Sequence, residues 1–529
     1  MKILEKRQKT ACRTTVLILM TAVLTTTTAT TVSATGRMAD SLAYRVELQA
    51  TTSTGDHSPL WLNANRYGLS SVDCNSGLVR AAVGRPLTAD STRRWGVGYM
   101  ADVAVAAGLT STFVVQQAFV EARWLRGVLT VGSKEQPLEL KNPLLSSGSQ
   151  TLGINARPVP SVRLSLPDYW TVPGTRGWLS LKGHMAYGMT TDDGWQKDFS
   201  APGKRRTEHV LLHTKAGYLR LGPRNITLEA GLEMGCHFGG TTRNMVMPVD
   251  GVMKIVDVEN RRDLKAFLHT LIPGGTDNGE AGSTGVYENT SGNHVGSWVV
   301  RLTFDYPRWA LAVYGDHFFD DQSSMFLLDY DGFGTGSEWN VKKHNRFFLY
   351  DLRDIMLGME LRLKQCRWVS AAVVEYLYTK YQSGPVYHDH TMNVSTHISG
   401  RDDYYNHSQL VGWQHWGQVM GNPLYRSPLY NDNAYIYVQN NRFVAWHLGL
   451  SGQPLPALDY RLLATWQRNY GTYDVILPDP CNTVSLMGEA VWRLRDGWQL
   501  KAAVGYDHGR VYGDNTGVQL SVSKTGFFK

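Results

Sequence analysis

The stretch TVSLMGEAVWRLRDGWQLKAAVGYD, residues 483–507, decides the fold of this chain. In its second half an apolar side chain stands at every second position from Trp498 to Tyr506, and the side chains between them are mostly polar or small. A period of two is the pattern of a β-strand with two different faces. The first half, residues 483–494, is separated from the second by the short turn Arg495-Asp496-Gly497. The stretch therefore predicts two antiparallel strands joined by a tight connection.

The same alternation recurs along the whole chain. Counting such segments predicts about eighteen strands, an even number, as in bacterial outer-membrane barrels. The predicted strands lie near residues 44–52, 79–86, 95–108, 114–124, 128–134, 161–166, 178–188, 207–218, 225–237, 295–305, 308–318, 354–364, 368–380, 442–452, 459–470, 483–494, 498–507 and 517–528.

The connections between these segments distinguish a barrel from a soluble sandwich. All the longest loops follow odd-numbered strands, whereas the connections after even-numbered strands are mostly tight turns such as Tyr306-Pro307. A transmembrane barrel produces this pattern because its periplasmic turns are short and its outer loops are long. The sequence therefore predicts an all-β fold, a transmembrane antiparallel barrel of about eighteen strands, with long outer loops that partly plug the lumen.

Composition agrees with that fold. The chain of 529 residues has 52 Gly, 26 Tyr and 16 Trp, and its mean hydropathy is only −0.27. In a barrel only alternate residues face lipid, so the average hydropathy stays that of a soluble protein. The net charge of +7 favours acidic partners such as anionic glycans or lipid phosphates.

The N-terminus has the pattern of a secretory signal peptide. Basic residues precede an apolar segment at Val16 to Leu24, and Val32-Ser33-Ala34 has the small residues of a cleavage site. We therefore predict a signal peptide over residues 1–34 and one barrel domain over residues 35–529. The protein is expected in the outer membrane of a Gram-negative bacterium, as a monomer in contact with membrane lipid.

Four cysteines remain after the signal peptide, and their spacing fits neither a metal site nor a disulfide framework. The loop pattern puts Cys366 in a periplasmic turn and Cys74 and Cys481 in outer loops. Cys366 is therefore expected to be too far from either to form a disulfide. A bridge between Cys74 and Cys481 stays possible.

The long loop between residues 375 and 442 is unusually rich in Tyr, Trp, His, Asn and Asp. A loop of this length without periodicity is typical of a functional segment. Sugar rings stack on aromatic side chains, while sugar hydroxyls need amide and carboxylate partners. The alternative is that these residues only pack a plug inside the barrel. Both alternatives stay open at this point.

Several motifs in the loops resemble one family. The run LSSGSQTLGINARPVP, residues 145–160, and the later segments YGDHFFDD, DDYYNH, GWQHWG and NPLYRSPLYN are similar to Wzi-type capsule-assembly proteins of Gram-negative outer membranes. This resemblance implies a barrel that binds capsular polysaccharide and helps to attach or organise it at the cell surface. It implies a lectin-like role and not an enzyme. The remaining alternatives are an oligosaccharide diffusion channel or porin and, third, an outer-membrane hydrolase.

The candidate polysaccharide-binding residues combine rings for stacking, carboxylates and amides for hydroxyls, and arginines for uronate or phosphate groups. No catalytic residue, metal, cofactor or nucleic-acid partner is predicted, and Asp316 with His317 is an unfavourable dyad because neighbours on a strand face opposite sides. Charges of both signs on the predicted lumen face favour ion pairs that anchor a plug over a selective pore. The candidate polysaccharide-binding residues are Asp316, His317, Arg401, Asp402, Asp403, Tyr404, Tyr405, Asn406, His407, Trp413, Trp416 and Arg426.

Overall fold

A computed structural model gives the architecture for most of the chain. It describes residues 42–90, 93–222, 225–272, 292–320, 334–341, 354–388 and 398–528, together with residues 325, 343, 392 and 393. The predicted signal peptide lies outside the described residues, so it stays a prediction.

Eighteen antiparallel strands form the wall, which confirms the predicted strand number. The first strand pairs with the second and also with the last, with Ala43 opposite Phe527, so the sheet closes on itself. The strands are β1 Ala43–Thr54, β2 Asn75–Arg85, β3 Trp95–Ala107, β4 Phe113–Trp124, β5 Gly127–Ser133, β6 Ser161–Thr171, β7 Leu179–Met189, β8 Leu211–Leu221, β9 Ile226–Phe238, β10 Asn293–Asp305, β11 Trp309–Asp320, β12 Ile355–Leu363, β13 Ala371–Tyr378, β14 Phe443–Leu455, β15 Leu458–Gly471, β16 Ile476–Arg493, β17 Trp498–His508 and β18 Asn515–Phe527.

The outward face of the wall is apolar, as the alternation predicts. Leu448 and Leu520 are 52% and 57% exposed, while their strand neighbours Gln519 and His447 are buried towards the lumen. A belt of exposed tryptophans lies at the end of the barrel that carries the short turns, and such aromatic girdles mark the membrane interfaces of outer-membrane barrels. Its members are Trp95, Trp124, Trp178, Trp309, Trp368, Trp492 and Trp498.

Short and long connections are distributed along the chain as predicted, with the longest loops after odd-numbered strands. Connections of four residues or fewer after β4, β8, β10, β14 and β16 lie at the short-turn end. The loops after β1, β5, β7, β9, β11 and β13 lie at the other end, which we call the long-loop end. Cys366 lies in the turn after β12, at the end opposite to Cys74, as predicted. Cys481 lies inside β16 and not in an outer loop, which corrects the sequence prediction, and both it and Cys74 are free thiols.

Short elements outside the wall lie in the loops and turns, most of them at the long-loop end. Helices cover α1 Leu60–Asn63, α2 Asp193–Phe199 and α3 Leu264–Leu271, and 3-10 turns cover Leu87–Asp90, Gly336–Glu338, Pro428–Tyr430 and Arg495–Gly497. Small separate sheets join Arg206–Glu208, Thr241–Val249 and Val252–Glu259, then Ser383–His388 with Ile398–Arg401, then Gln414–His415 with Gln418–Val419.

None of the helices in the described part of the chain has both the length and the apolar character needed to cross a membrane.

Three long loops turn inward and fill the lumen. They are residues 55–74, 134–160 and 402–442, and together we call them the plug. Trp61 and Leu145 from the first two loops and Tyr404 from the third belong to one buried cluster with wall residues such as Phe318. The core of the molecule therefore lies inside the barrel, and the prediction of plugging outer loops is confirmed.

Candidate functional site

A buried lysine, Lys141, attaches the middle of the plug to the wall by an ion pair. Nζ of Lys141, in the loop after β5, lies 2.5 Å from a carboxylate oxygen of Asp316 on β11, and both side chains are almost fully buried. The backbone N–H of Gln150 donates to the same oxygen, at 3.0 Å. Although burial opposes its charge, Asp316, Glu233 and Glu375 together raise the pKa of Lys141. The lysine is therefore held as a cation among three carboxylates.

The other two carboxylates of this group bind the same loop. Glu375 on β13 accepts hydrogen bonds from the hydroxyl of Ser146, at 2.5 Å, and from the backbone N–H of Ser147, at 2.8 Å. Glu233 on β9 accepts one from the hydroxyl of Ser149, at 3.0 Å. Acidic residues on three different strands thus hold one loop, so this part of the plug is an integral part of the barrel.

Charges elsewhere on the lumen face pair between neighbouring strands or across one intervening strand. Arg301 lies 2.7 Å from Glu360, and Arg461 lies 2.7 Å from Glu489. Arg301 also donates to the backbone carbonyl of Leu140 in the plug, at 2.9 Å. This is the anchoring arrangement that the mixed signs favour, since rings of one sign would be expected in an ion-selective pore.

Three of the predicted sugar-stacking rings lie deep inside the plug. Tyr404, Tyr405 and Trp413 are each 0% exposed. The hydroxyl of Tyr404 donates to Asp354, at 2.9 Å, and Nε1 of Trp413 donates to the backbone carbonyl of Thr151, at 2.9 Å. Their polar atoms therefore satisfy plug contacts, as the packing alternative requires.

The predicted polar residues near them divide into two groups. Asn406 and Arg426 bind other parts of the chain: Nδ2 of Asn406 donates to the carbonyl of Val438, at 3.0 Å, and Nε of Arg426 donates to that of Val511, at 2.9 Å. Asp402, Asp403, His407 and Trp416 are only half-buried. The side chain of Arg401 lies outside the described residues.

His407 caps a turn of its own segment. Its Nδ1 accepts the backbone N–H groups of Gln409 and Leu410, at 3.1 and 3.0 Å. Burial, with the nearby Arg205 guanidinium, lowers the pKa of His407 to about 4. The ring is therefore neutral at physiological pH and holds the turn together.

Asp316 and His317 do not form a dyad. Asp316 faces the plug, whereas Nδ1 of His317, on the other face of β11, lies 2.7 Å from the carbonyl of Asp354.

An aromatic pair that the sequence prediction missed lies at the long-loop end. The rings of Tyr435 and Tyr437 are almost parallel, with an angle of 7° and centroids 5.7 Å apart. Nζ of Lys204 lies 5.4 Å from the centre of the Tyr435 ring, and the Tyr437 hydroxyl donates to Asp403, at 2.6 Å. We call these four residues the outer platform. The alternation Tyr435-Ile436-Tyr437 was the available signal, because it puts both rings on one side.

Contacts behind the outer platform hold it in shape. Nδ2 of Asn431 donates to the carbonyls of both tyrosines, at 2.8 and 2.7 Å. Ile436, between them, is fully buried against Trp195 of α2. Burial raises the pKa of Asp403, whose other oxygen accepts from Asn441. The two rings are therefore presented in a fixed geometry, half-buried, on the side of the barrel with the long loops.

A second opening lies deeper, between the plug and strands β5 to β8. This inner cavity has a volume of about 130 Å³. Arg163 projects from β6 into it, and Trp413 and Arg157 of the plug line the opposite side. The guanidinium of Arg157 lies 4.2 Å from the centre of the Trp416 ring. A few water molecules fit this space, since each occupies about 30 Å³ in the liquid.

Comparison with known proteins gives a fold and no family. No protein-family model matches the chain. No curated protein matches it either. Among solved structures it is similar to Wzi, an outer-membrane protein involved in group 1 capsule assembly in Escherichia coli and described as a carbohydrate-binding β-barrel; the TM-score is 0.54 and the identity 12%, over 90% of this chain and 83% of that chain.

Two further structures align over most of both chains. OccAB2 of Acinetobacter baumannii has a TM-score of 0.46 and 8% identity, over 94% of this chain and 100% of that chain. OccK5 (OpdH) of Pseudomonas aeruginosa has a TM-score of 0.42 and 9% identity, over 92% and 97%. The likeness to Wzi, at a TM-score of 0.54, together with the closed eighteen-stranded sheet, shows the fold of an outer-membrane β-barrel.

Proposed function

We propose that this chain is an outer-membrane protein of a Gram-negative bacterium that binds a surface polysaccharide, such as capsule, at its outer platform. The glycan is held at the cell surface and does not pass through the lumen. The role is that of a lectin and not of an enzyme, and the protein acts as a monomer.

The outer platform is the observation that carries this proposal. The two tyrosine rings stack on each other, with centroids 5.7 Å apart, and together offer one half-exposed aromatic surface to the apolar face of a sugar. Lys204 beside one ring suits a uronate or phosphate group, and the carboxylate of Asp403 is an acceptor for sugar hydroxyls. An anionic glycan is therefore the ligand that the platform fits best. Wzi, whose fold this chain shares, is itself described as carbohydrate-binding.

The rival function is an oligosaccharide diffusion channel. The inner cavity is the observation in its favour, because it is the opening through which an oligosaccharide would have to pass. Its volume of about 130 Å³ is smaller than a passage for an oligosaccharide requires. The carboxylates that bind the loop after β5 hold this loop in the lumen and so oppose widening of the inner cavity. Steady currents through bilayers containing the wild-type protein, blocked by added glycan, would favour the channel over the plugged lectin.

Removing the rings of the outer platform is expected to weaken glycan binding strongly. The double variant Tyr435→Ala/Tyr437→Ala loses two aromatic rings, each worth roughly 0.5–1.5 kcal/mol, so affinity is expected to fall by about one to two orders of magnitude. Binding of purified acidic capsular polysaccharide to the full-length protein in detergent is measured by calorimetry.

A matched control replaces a tyrosine of the opposite end. Tyr306, at the short-turn end, also packs against an aromatic ring, with its centroid 4.9 Å from that of Trp309. Tyr306→Ala is expected to leave glycan affinity unchanged. Equal affinity of the wild type and the double platform variant would refute the proposed site.

Membrane orientation can be tested independently of any ligand. Cys366 is exposed at the short-turn end, and Asn433 is exposed beside the outer platform. In intact cells a membrane-impermeant maleimide is expected to label the variant Asn433→Cys strongly and Cys366 only after the outer membrane is permeabilised. Labelling of Cys366 in intact cells would reverse the proposed orientation.

A further inference from the structure

A group of basic residues lies on the outside of the wall, at its long-loop end. Lys380 follows β13, Arg442 precedes β14 and Arg468 lies near the long-loop end of β15. Thr379, Phe443 and the neighbours of Arg468 on both sides are buried towards the plug, so these three side chains lie on the outward side. Three adjacent strands thus present cations at one level.

Tyrosine rings hold these cations in place. Nζ of Lys380 lies 4.3 Å from the centre of the Tyr470 ring, and the Arg442 guanidinium lies 3.8 Å from that of Tyr473. The Arg468 guanidinium lies 6.0 Å from the centre of the Tyr470 ring. Nε of Arg442 also donates to the carbonyl of Lys380, at 3.1 Å. We call these five residues the outer basic patch.

The charge of the outer basic patch is not balanced within the described residues. Lys380, Arg442 and Arg468 form no ion pair there, whereas Arg461 on the lumen side of β15 is paired with Glu489. Asp474, beside Tyr473, is the exposed carboxylate nearest to them along the chain. The half-buried Asp403 interacts with Asp474, so three cations face two carboxylates and the patch keeps a net positive charge.

Aromatic side chains define the level of the patch on the wall. Trp446 and Trp466 are directly opposite each other on β14 and β15, and both are exposed on the outward face. Tyr376 on β13 packs against Trp446, with ring centroids 4.9 Å apart. Aromatic residues at this end of a barrel mark the border between acyl chains and headgroups. Arg468 lies two residues beyond Trp466, so the patch lies at headgroup level.

The patch is local to this side of the barrel. The outward positions at the long-loop ends of β1, β2, β4 and β18 carry Thr54, Asn75, Phe113 and Thr516, none of which is charged. A general attraction to the membrane surface would not require positively charged side chains to be concentrated on β13 to β15. Their concentration there favours one local binding site.

We propose that the outer basic patch binds the phosphorylated headgroup of an outer-leaflet lipid, whose acyl chains lie against Trp446 and Trp466. Arginine and lysine supply charge-assisted hydrogen bonds to phosphate oxygens. The bound lipid fixes the height of β13 to β15, and the loop that carries the platform tyrosines begins after β13 and ends before β14. This inference rests on the proposed outer-membrane location and not on glycan binding.

The test uses the full-length protein in nanodiscs of zwitterionic lipid. It is titrated with diphosphoryl lipid A, with the same lipid lacking both phosphates, and with inorganic phosphate alone. Each Lys or Arg beside an anionic headgroup strengthens binding about fivefold. The triple variant Lys380→Gln/Arg442→Gln/Arg468→Gln is therefore expected to bind diphosphoryl lipid A about a hundredfold more weakly than wild type. The lipid without phosphates is expected to bind wild type as weakly as diphosphoryl lipid A binds this triple variant.

Controls separate the patch from charge in general. Arg308→Gln/Arg367→Gln/Arg495→Gln removes three exposed arginines at the short-turn end and is expected to change nothing. Arg468→Gln alone, on the exposed wall, is expected to weaken binding about fivefold even if the triple variant fails to fold. Three results would overturn the proposal. They are undiminished lipid binding in Arg468→Gln, equal binding of the two lipids by wild type, and binding of inorganic phosphate as tight as that of lipid. Glycan affinity measured in parallel keeps this outcome separate from that of the outer platform.

Discussion

Lys141→Met is expected to release the loop after β5 from the lumen wall. The substitution removes the cation that lies between Asp316, Glu233 and Glu375 and leaves three buried carboxylates without a counter-charge. Removing one partner of a buried ion pair typically costs about 3–5 kcal/mol, because the remaining charge stays out of water. Hydrogen exchange of residues 138–152 is therefore expected to accelerate strongly, and bilayers containing the variant are expected to show currents that wild type lacks.

Two further variants show whether charge or packing is responsible. Lys141→Met/Asp316→Asn removes both partners, and the amide oxygen can still accept the backbone N–H of Gln150. This double variant is expected to recover much of the lost protection. Lys254→Met breaks an exposed pair with Asp250 and is expected to cost less than about 1 kcal/mol. Normal protection in Lys141→Met would show that the buried ion pair does not hold the plug.

The barrel wall was predictable because its physics is local. An alternating strand needs one face for lipid and one for the lumen, so period two recurs wherever the wall crosses. One error lies where proline interrupts that pattern. The predicted end of β6 at residue 166 precedes Pro167, but the strand continues to Thr171 across a register shift that accommodates the proline.

Another error came from strands that belong to a different sheet. The prediction started β8 at residue 207, but Arg206–Glu208 pairs with Thr241–Arg243 in a separate sheet, and the wall strand begins at Leu211. Alternation is the same in both sheets. Nothing in the local pattern says which partner a strand will have.

The candidate site was predictable in type but not in position. Rings and polar residues in a long loop fit both a plug and a sugar site, and only the folded loop shows which rings face inward. Tyr404 and Tyr405 were candidates for stacking and are fully buried, while Tyr435 and Tyr437 are half-exposed and were missed. Burial in the plug is decided by contacts with distant strands, such as the hydrogen bond from Tyr404 to Asp354. A sequence window of one loop does not contain that information.

Trp413→Ala is expected to open the inner cavity from the plug side. The Trp413 ring is fully buried, lines the cavity of about 130 Å³ and packs against His237, with ring centroids 4.8 Å apart. Truncating a buried tryptophan costs about 3–5 kcal/mol, because the neighbours fill the void only partly. Hydrogen exchange of residues 403–425 and single-channel conductance are expected to rise together.

The same contact can be tested from the wall. A Cβ atom at Gly235 on β9 would lie 2.2 Å from the Trp413 ring, so Gly235→Ala displaces that ring without shortening it. Gly235→Ala is expected to loosen the same residues, whereas Trp446→Ala, on the lipid face, is expected to leave the plug unchanged. Trp413→Phe keeps one aromatic ring but loses the hydrogen bond to Thr151 and part of the buried ring volume, so its effect is expected to be smaller than that of Trp413→Ala. If Trp413→Ala conducts while glycan affinity at the outer platform persists, closing the lumen and binding the polysaccharide are separate tasks of this loop.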